Sequence, residues 1–350
     1  MKSSYYLAPV IVVAFLALIA LFFHGSSVFA APAPKAPIEI KWLIAHEPVS
    51  LFDRAVIDFA TEFNKDGDGT VHITVLGPKD FGATNGQLNT TPVLNALDSG
   101  QVQMATVVVG GLASTSDPEL GAINLPYLFT DYPSAERVFD GPAGAQLLAG
   151  IGTHANVQGL AFTFSGGFMV IESANKQILS AGDLKGLRIG TIDGAIAQSV
   201  LASFGSTPVN MDAGAGVKAN STLLDQYDGV ENPYTRITPG AGVDPKYIIE
   251  TNHALFTTVI MASDSFYNSL SPKNQAALKN AAQVAAEDER ADSIALGLQH
   301  KQQLLDAGTV ITELPASSKA QLQAMSQPVY QKYEAEFGSG LVNEIKAEQQ

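Results

Sequence analysis

The stretch that decides the fold begins Ile38-Glu39-Ile40-Lys41-Trp42-Leu43-Ile44. Polar and apolar residues alternate and then give way to an apolar run, which predicts a strand buried in a sheet. Past the loop Ala45-His46-Glu47-Pro48-Val49-Ser50, the residues Phe52, Ala55, Val56, Phe59, Ala60 and Phe63 recur at spacings of three and four. That spacing makes 51–63 an amphipathic helix. A turn over 64–69 leads to a second strand over 70–76. Asn64, Asp66, Asp68 and Gly69 match the opening of a calcium loop, but the place of its bidentate Glu is taken by Val75, so the segment reads as a plain turn. A helix over 91–97 starts on Pro92 and stops at Ser99-Gly100, and a third strand covers 102–109. Strand, helix, strand, helix, strand is the grammar of a parallel sheet with helices on both faces.

The same grammar recurs further on. Strands are expected over 158–164, 187–191 and 254–263. A helix over 193–204 takes Asp193 as its N-cap and stops at Gly205. A long helix opens on Ser271-Pro272 and ends at Ala307-Gly308, with Ser as cap and Pro in the first turn. It spans ~50 Å at 1.5 Å per residue, more than one domain, and so lies across two units or is kinked. Two shorter helices, 316–326 and 328–337, close the chain. Two α/β units side by side leave a cleft, and clefts of this kind hold small ligands. The fold expected is therefore α/β, two-lobed, with mixed sheets flanked by helices. Lobe I covers 38–160 and is completed by about 251–265; lobe II covers 161–250 and is completed by about 266–350.

The start of the chain reads as an address. Met1-Lys2-Ser3-Ser4 precedes an apolar run from Leu7 to Phe23, and Val28 and Ala30 are small residues placed for cleavage after Ala30. Residues 1–30 are expected to be a signal peptide and 31–37 a linker, which places the mature protein in the periplasm. A permanent anchor is the competing reading, at the lower limit of a span.

Across 350 residues, 34 acidic side chains outnumber 20 basic ones, giving a formal net charge of −14. Phosphate contacts need Lys and Arg, so nucleic acid is not an expected partner. The absence of cysteine removes disulfides, thiolate metal sites and thiol catalysis. No phosphate-binding Gly-rich loop with Lys, no serine elbow and no His-Glu-x-x-His pattern is present; His46-Glu47 runs into Pro48-Val49-Ser50. No catalytic residue, metal or cofactor is expected.

The positive signal lies between 123 and 253. In order come Leu125-Pro126-Tyr127-Leu128-Phe129, Asp183-Leu184-Lys185-Gly186-Leu187-Arg188-Ile189, Asp228-Gly229-Val230-Glu231-Asn232-Pro233 and Thr251-Asn252-His253. This series resembles the extracytoplasmic solute-binding proteins of tripartite ATP-independent periplasmic (TRAP) transporters, of the dicarboxylate-binding type. The resemblance implies a receptor whose two lobes close on a small organic solute and deliver it to a membrane permease of one small and one large subunit, driven by an ion gradient. Binding that contacts both lobes only when closed stabilises closure.

The family's carboxylate-holding Arg falls at Gly190 here, and a second family Arg falls at about Met169. With both guanidinium forks lost, the ligand need not be a carboxylate; a neutral polar, hydroxylated or aromatic molecule, or an amine, is expected. Arg188, two residues earlier on the same strand, is either a relocated clamp or a solvent-facing residue. The resemblance carries Asn232 over as a ligand contact, with Tyr234 just beyond it, and moves Phe168 and Met169 toward the pocket. His46 and Glu47 sit on the loop after the first strand, at the lip of the cleft. Asp212 could bond a hydroxyl or an amine. Each also has a structural reading, in the core or in a turn; His253 reads as structural. The end of the third strand, 107–111, is apolar where a polar contact is expected. Two other functions stay open: a receptor for a membrane sensor in signalling, and an exported enzyme.

Overall fold

The computed structural model describes residues 36–83, 87–192, 194–211, 224, 226–240 and 244–350. The expected signal peptide, the linker up to residue 35, the Asp193 cap and Asp212 lie outside the described residues.

The opening of the sheet is as its pattern predicts. It comprises β1 (Ile38–Ile44), α1 (Asp53–Asp66), β2 (Val71–Leu76), α2 (Thr90–Asp98), β3 (Met104–Val108) and α3 (Val109–Thr115). β1 pairs in parallel with β2 on one side and β3 on the other. Two helices follow, α4 (Tyr132–Phe139) and α5 (Pro142–His154), then β4 (Val157–Ser173), β5 (Arg188–Thr191), α6 (Gly194–Ser203) and β6 (Thr207–Asn210). The remaining strands are β7 (Gly229–Pro233), β8 (Tyr247–Glu250), β9 (Leu255–Ser263) and β10 (Val310–Glu313). Around β10 lie α7 (Asp264–Ser269), α8 (Pro272–Asp306), α9 (Ala316–Met325), α10 (Gln327–Phe337) and α11 (Ser339–Glu348). The strand order is β2-β1-β3-β9-β4-β7-β5-β6, with β8 between β4 and β10.

β9 runs antiparallel to β3, and β4 antiparallel to β9, so the sheet is mixed. β4 is the strand that departs most from expectation. The Ser165-Gly166-Gly167 triplet reads as a stop, yet the strand continues through it for 17 residues in all. Its first half pairs with β9 and its second with β7 and β8. The register shifts between Thr163 and Gly167, where Ser165 (φ 41°) and Gly167 (φ 80°) both take positive φ. A triplet rich in glycine lets one strand leave one sheet and enter another without ending.

Both faces of the β1–β3 sheet are covered. Ile40, Trp42 and Ile44 face Phe52, Phe59 and Phe63 and the alanine stripe Ala277, Ala281, Ala282, Ala285 and Ala286 of α8. Leu43 and Ala105 pack in the larger core on the other side. The small alanine side chains let α8 lie close against α1. Its N-terminus is built as its sequence indicates, with the Ser271 hydroxyl accepting from Asn274 N at 3.2 Å and Pro272 in the first turn. Near its other end Leu304 packs with Val170 and Ile248 of the β4–β8 region.

The expected pair of closing helices is followed by a third, α11, whose Leu341, Val342 and Ile345 enter the core. Gly338 turns the chain at φ 82°. Sequence spacing missed this helix because it is ten residues long and opens on glycine rather than on a capping side chain. β6, β7, β8 and β10 were not anticipated, being four or five residues each with little periodicity; β5, equally short, was expected over 187–191. Among the described residues no helix is long and apolar enough to cross a membrane.

Candidate functional site

A cavity of about 610 Å³ opens at the carboxyl ends of β3, β5 and β6. That edge is where open α/β sheets bind ligands, because loops diverge there and leave a crevice. The segments 87–91, before and into α2, and 108–115, through α3, supply one wall; Ile192, Gly194, Asn210 and Met211 supply the other. Val108, Ile192 and Met211 form apolar patches, and behind Val108 lie Met169 and Phe256. Among the described residues the polar lining is neutral: Gln87, Asn89, Thr90, Thr91, Ser114, Thr115 and Asn210. Amides and hydroxyls both give and accept hydrogen bonds, so such a wall suits a small molecule rich in polar but uncharged groups.

The structure distributes the sequence-derived candidates around this cavity rather than in its lining. His46 is fully buried, its backbone bridged to Gln87. Its imidazole is held neutral, down to about 3, first by burial and then by the Arg236 guanidinium. Nδ1 lies 3.5 Å from the Glu47 carbonyl and Nε2 has no partner. Glu47 accepts from Val49 N at 3.1 Å, a local turn contact. Phe168 and Tyr234 line a second, smaller cavity of about 240 Å³, with Tyr132, Glu250 and Lys301. Met169 sits in the floor cluster with Val108 and Phe256.

Gly190 explains the missing guanidinium. A side chain there would begin 2.5 Å from Met211 Sδ and 3.2 Å from the Tyr227 ring, so the thioether fills that space. Arg188 is exposed, lies over the Tyr227 ring at 5.7 Å, and donates to the Gln226 carbonyl at 3.1 Å. Asn232, fully buried, donates to Glu172 Oε1 at 2.7 Å.

Three of the four motifs that carried the family resemblance, those at 125–129, 228–233 and 251–253, meet in one knot. Tyr127 N donates to the His253 carbonyl at 2.7 Å. His253 Nε2 lies 2.5 Å from Glu231 Oε1, and Nδ1 is 2.8 Å from Thr251 Oγ1. Phe204 meets the imidazole edge-on at 5.4 Å. Those motifs therefore hold strands together, and this is why they are legible in a divergent sequence.

The polar cavity residues carried no sequence signal beyond lying on loops after strands. Arg236 was also missed. It is a guanidinium only 1% exposed, four places past Asn232, lying over the Phe256 ring at 5.5 Å.

Glu172 and Glu289 give the protein a pH signature. Burial pushes each carboxyl from 4.5 up to about 7, more than hydrogen bonds pull it down. A raised carboxyl is stable when neutral. The folded state therefore loses stability as pH rises from about 4.5 to about 7, by up to about 3 kcal/mol per group, and is level above that. His46 acts in the opposite sense: its value falls from 6.5 to about 3, so acid favours the unfolded chain below 6.5. Half-buried His300 is lowered as well and adds to this. Urea midpoints are expected to be highest near about pH 5, to fall toward about pH 7 and to level off above it. Glu172→Gln should halve the fall that the two carboxyls cause between about pH 4.5 and pH 7; an unchanged pH dependence would disprove the assignment.

A mixed sheet of this order, with a polar cavity at its carboxyl edge, is the build of a solute-binding protein. The family model for the bacterial extracellular solute-binding proteins, family 7, matches residues 46–336, and the chain belongs to that family. The C4-dicarboxylate-binding periplasmic protein DctP of Rhodobacter capsulatus is 26% identical over 92% of this chain and 94% of its own length. The C4-dicarboxylate-binding protein DctB of Bacillus subtilis (strain 168) is 25% identical over 82% of this chain and 79% of its own. Among solved structures, a TRAP periplasmic solute binding protein from Ochrobactrum anthropi, its C-terminus bound in the ligand binding pocket, matches with a TM-score of 0.76. The identity is 24%, over 89% of this chain and 95% of that one. The sugar acid binding protein of Advenella mimigardefordensis, in complex with galactonate, matches at 0.75 and 22% identity over 89% and 98%. Members of the family are solute-binding proteins rather than enzymes, and the relatives named as periplasmic act outside the cytoplasm.

Proposed function

We propose that this chain is a periplasmic receptor, exported by residues 1–30, that captures a small neutral polar solute and delivers it to the small and large membrane subunits of a TRAP permease. The observation that carries the ligand class is the neutral lining that the described residues give the 610 Å³ cavity. It stands where relatives are named for binding dicarboxylates or sugar acids. Met211 in the space beside Gly190 and Met169 in the floor support the same reading. The lobes are 38–160 with 251–265, and 161–250 with 266–350. The hinge between them runs through Ser165–Gly167 and the crossing at 251–254. Asn232, carried over by the family resemblance, is fully buried and outside the described lining, and its carboxamide oxygen, without a partner among the described residues, would reach a solute only after the site rearranges.

Native mass spectrometry of freshly purified protein is expected to detect a retained neutral solute. Thermal shift should then rank neutral hydroxylated or amide compounds above succinate, galactonate and glucuronate, since a ligand bound only by the native state raises its stability. Stronger stabilisation by the acids would sink the ligand class. Uptake into vesicles holding the permease subunits, abolished when the binding protein is omitted, tests delivery.

A further inference from the structure

The wall of the cavity formed by the segment before α2 contains one residue whose hydrogen-bonding sense is fixed from behind. Gln87 lines the cavity and is 9% exposed. Arg236 Nη1 donates to Gln87 Oε1 at 3.1 Å. A guanidinium has donors and no acceptor, so only the amide oxygen can face it. The orientation of Gln87 is thereby decided, and Nε2, which makes no hydrogen bond to the described residues, is left as a donor. A cation bound at the oxygen also draws electron density from the amide and strengthens its N–H groups as donors. His46, behind Gln87, is neutral and brings no opposing charge.

We infer that Gln87, set by Arg236, determines specificity: it is an obligate donor subsite that selects solutes presenting a carbonyl oxygen. The inference rests on the solute-receptor reading above. It assigns to Arg236 an indirect positioning role, one step removed from the solute, in place of the guanidinium forks absent at Gly190 and Met169. A neutral carbonyl satisfies the subsite, whereas the same molecule reduced to an alcohol offers a weaker acceptor and a proton that must point elsewhere.

The test uses matched pairs that differ at one carbon: gluconamide against D-glucitol, lactamide against propane-1,2-diol, and 3-hydroxypropanamide against propane-1,3-diol. Titration calorimetry on the full mature chain is expected to show the amide bound about tenfold or more tighter than its alcohol in at least one pair. Gln87→Glu keeps a partner for Arg236 as an ion pair, so the fold is retained, but it offers an acceptor to the cavity. The preference should collapse to about unity. Arg236→Met should lose it too, and Arg236→Lys should restore part of it. A merely structural role would lower all affinities without changing the ratio. An unchanged ratio in Gln87→Glu overturns the inference alone. Wild-type protein that binds no member of any pair overturns the neutral-solute reading and this inference with it.

Discussion

Glu289→Ala will lower stability by roughly 3–5 kcal/mol, one of the two largest losses expected from a single substitution here. Glu289 is buried in the middle of α8. Its two oxygens accept from Phe164 N and Ser165 N, each at 3.0 Å. Those two amides belong to β4 at the point where the strand leaves one sheet for the other, so no neighbouring strand is in register to take them. Removing the carboxylate orphans two buried donors and leaves a void. Glu289→Gln should fall between wild type and Ala, since its amide has one oxygen for two N–H groups. Urea denaturation measures the loss; a change below about 1 kcal/mol would show that water or a neighbour replaces the carboxylate. The adjacent Arg290 would stay bound to Asp140, with which it makes bonds of 3.0 Å through both terminal nitrogens.

Gly166→Val is the second. A Cβ there would lie 2.7 Å from Pro233 Cβ, closer still to Pro233 Cγ, and 2.9 Å from Thr235 Oγ1. The pyrrolidine ring is rigid, and Pro233 ends β7, directly paired with β4 through Met169. Relief therefore requires the two strands to part. A loss of roughly 3 kcal/mol or more is expected, with Gly166→Ala showing most of it because the Cβ itself is the clash. Circular dichroism melts and urea midpoints read the effect. If Gly166→Ala melts with wild type, the strands are not packed as closely as described.

The parts of the fold that were legible were those with long periodic signals. The alternation of 38–44, the phenylalanine spacing of 52–63 and the Ser271-Pro272 start of α8 each named their element. β4 was half legible, because Ser165-Gly166-Gly167 carries the composition of a turn while acting as a passage between sheets. The cavity was least legible. Asn89 with Thr90, Ser114, and Asn210 lie on three separate segments and meet only through the strand order. Nothing in their local spacing marks them. Arg236 was hidden for another reason: a single Arg after Pro233 reads as an exposed turn residue, and only the fold shows that Phe256 and Gln87 enclose it. Three of the four family motifs were conspicuous because they report the Tyr127–His253–Glu231 knot, which is needed whatever the solute.

The path of the chain also sets how the protein can be dissected. β1 to β3 belong to one sheet, β4 to both, β5 to β8 to the other, β9 returns to the first and β10 to the second. No single scission yields two fragments that each carry a complete sheet. Neither half is a candidate for separate expression, and a split reporter cut between them would lose strands on both sides. A fluorescent sensor made from this protein must instead receive its fluorophore as an insertion in a surface connection, leaving β4, β9 and α8 uncut.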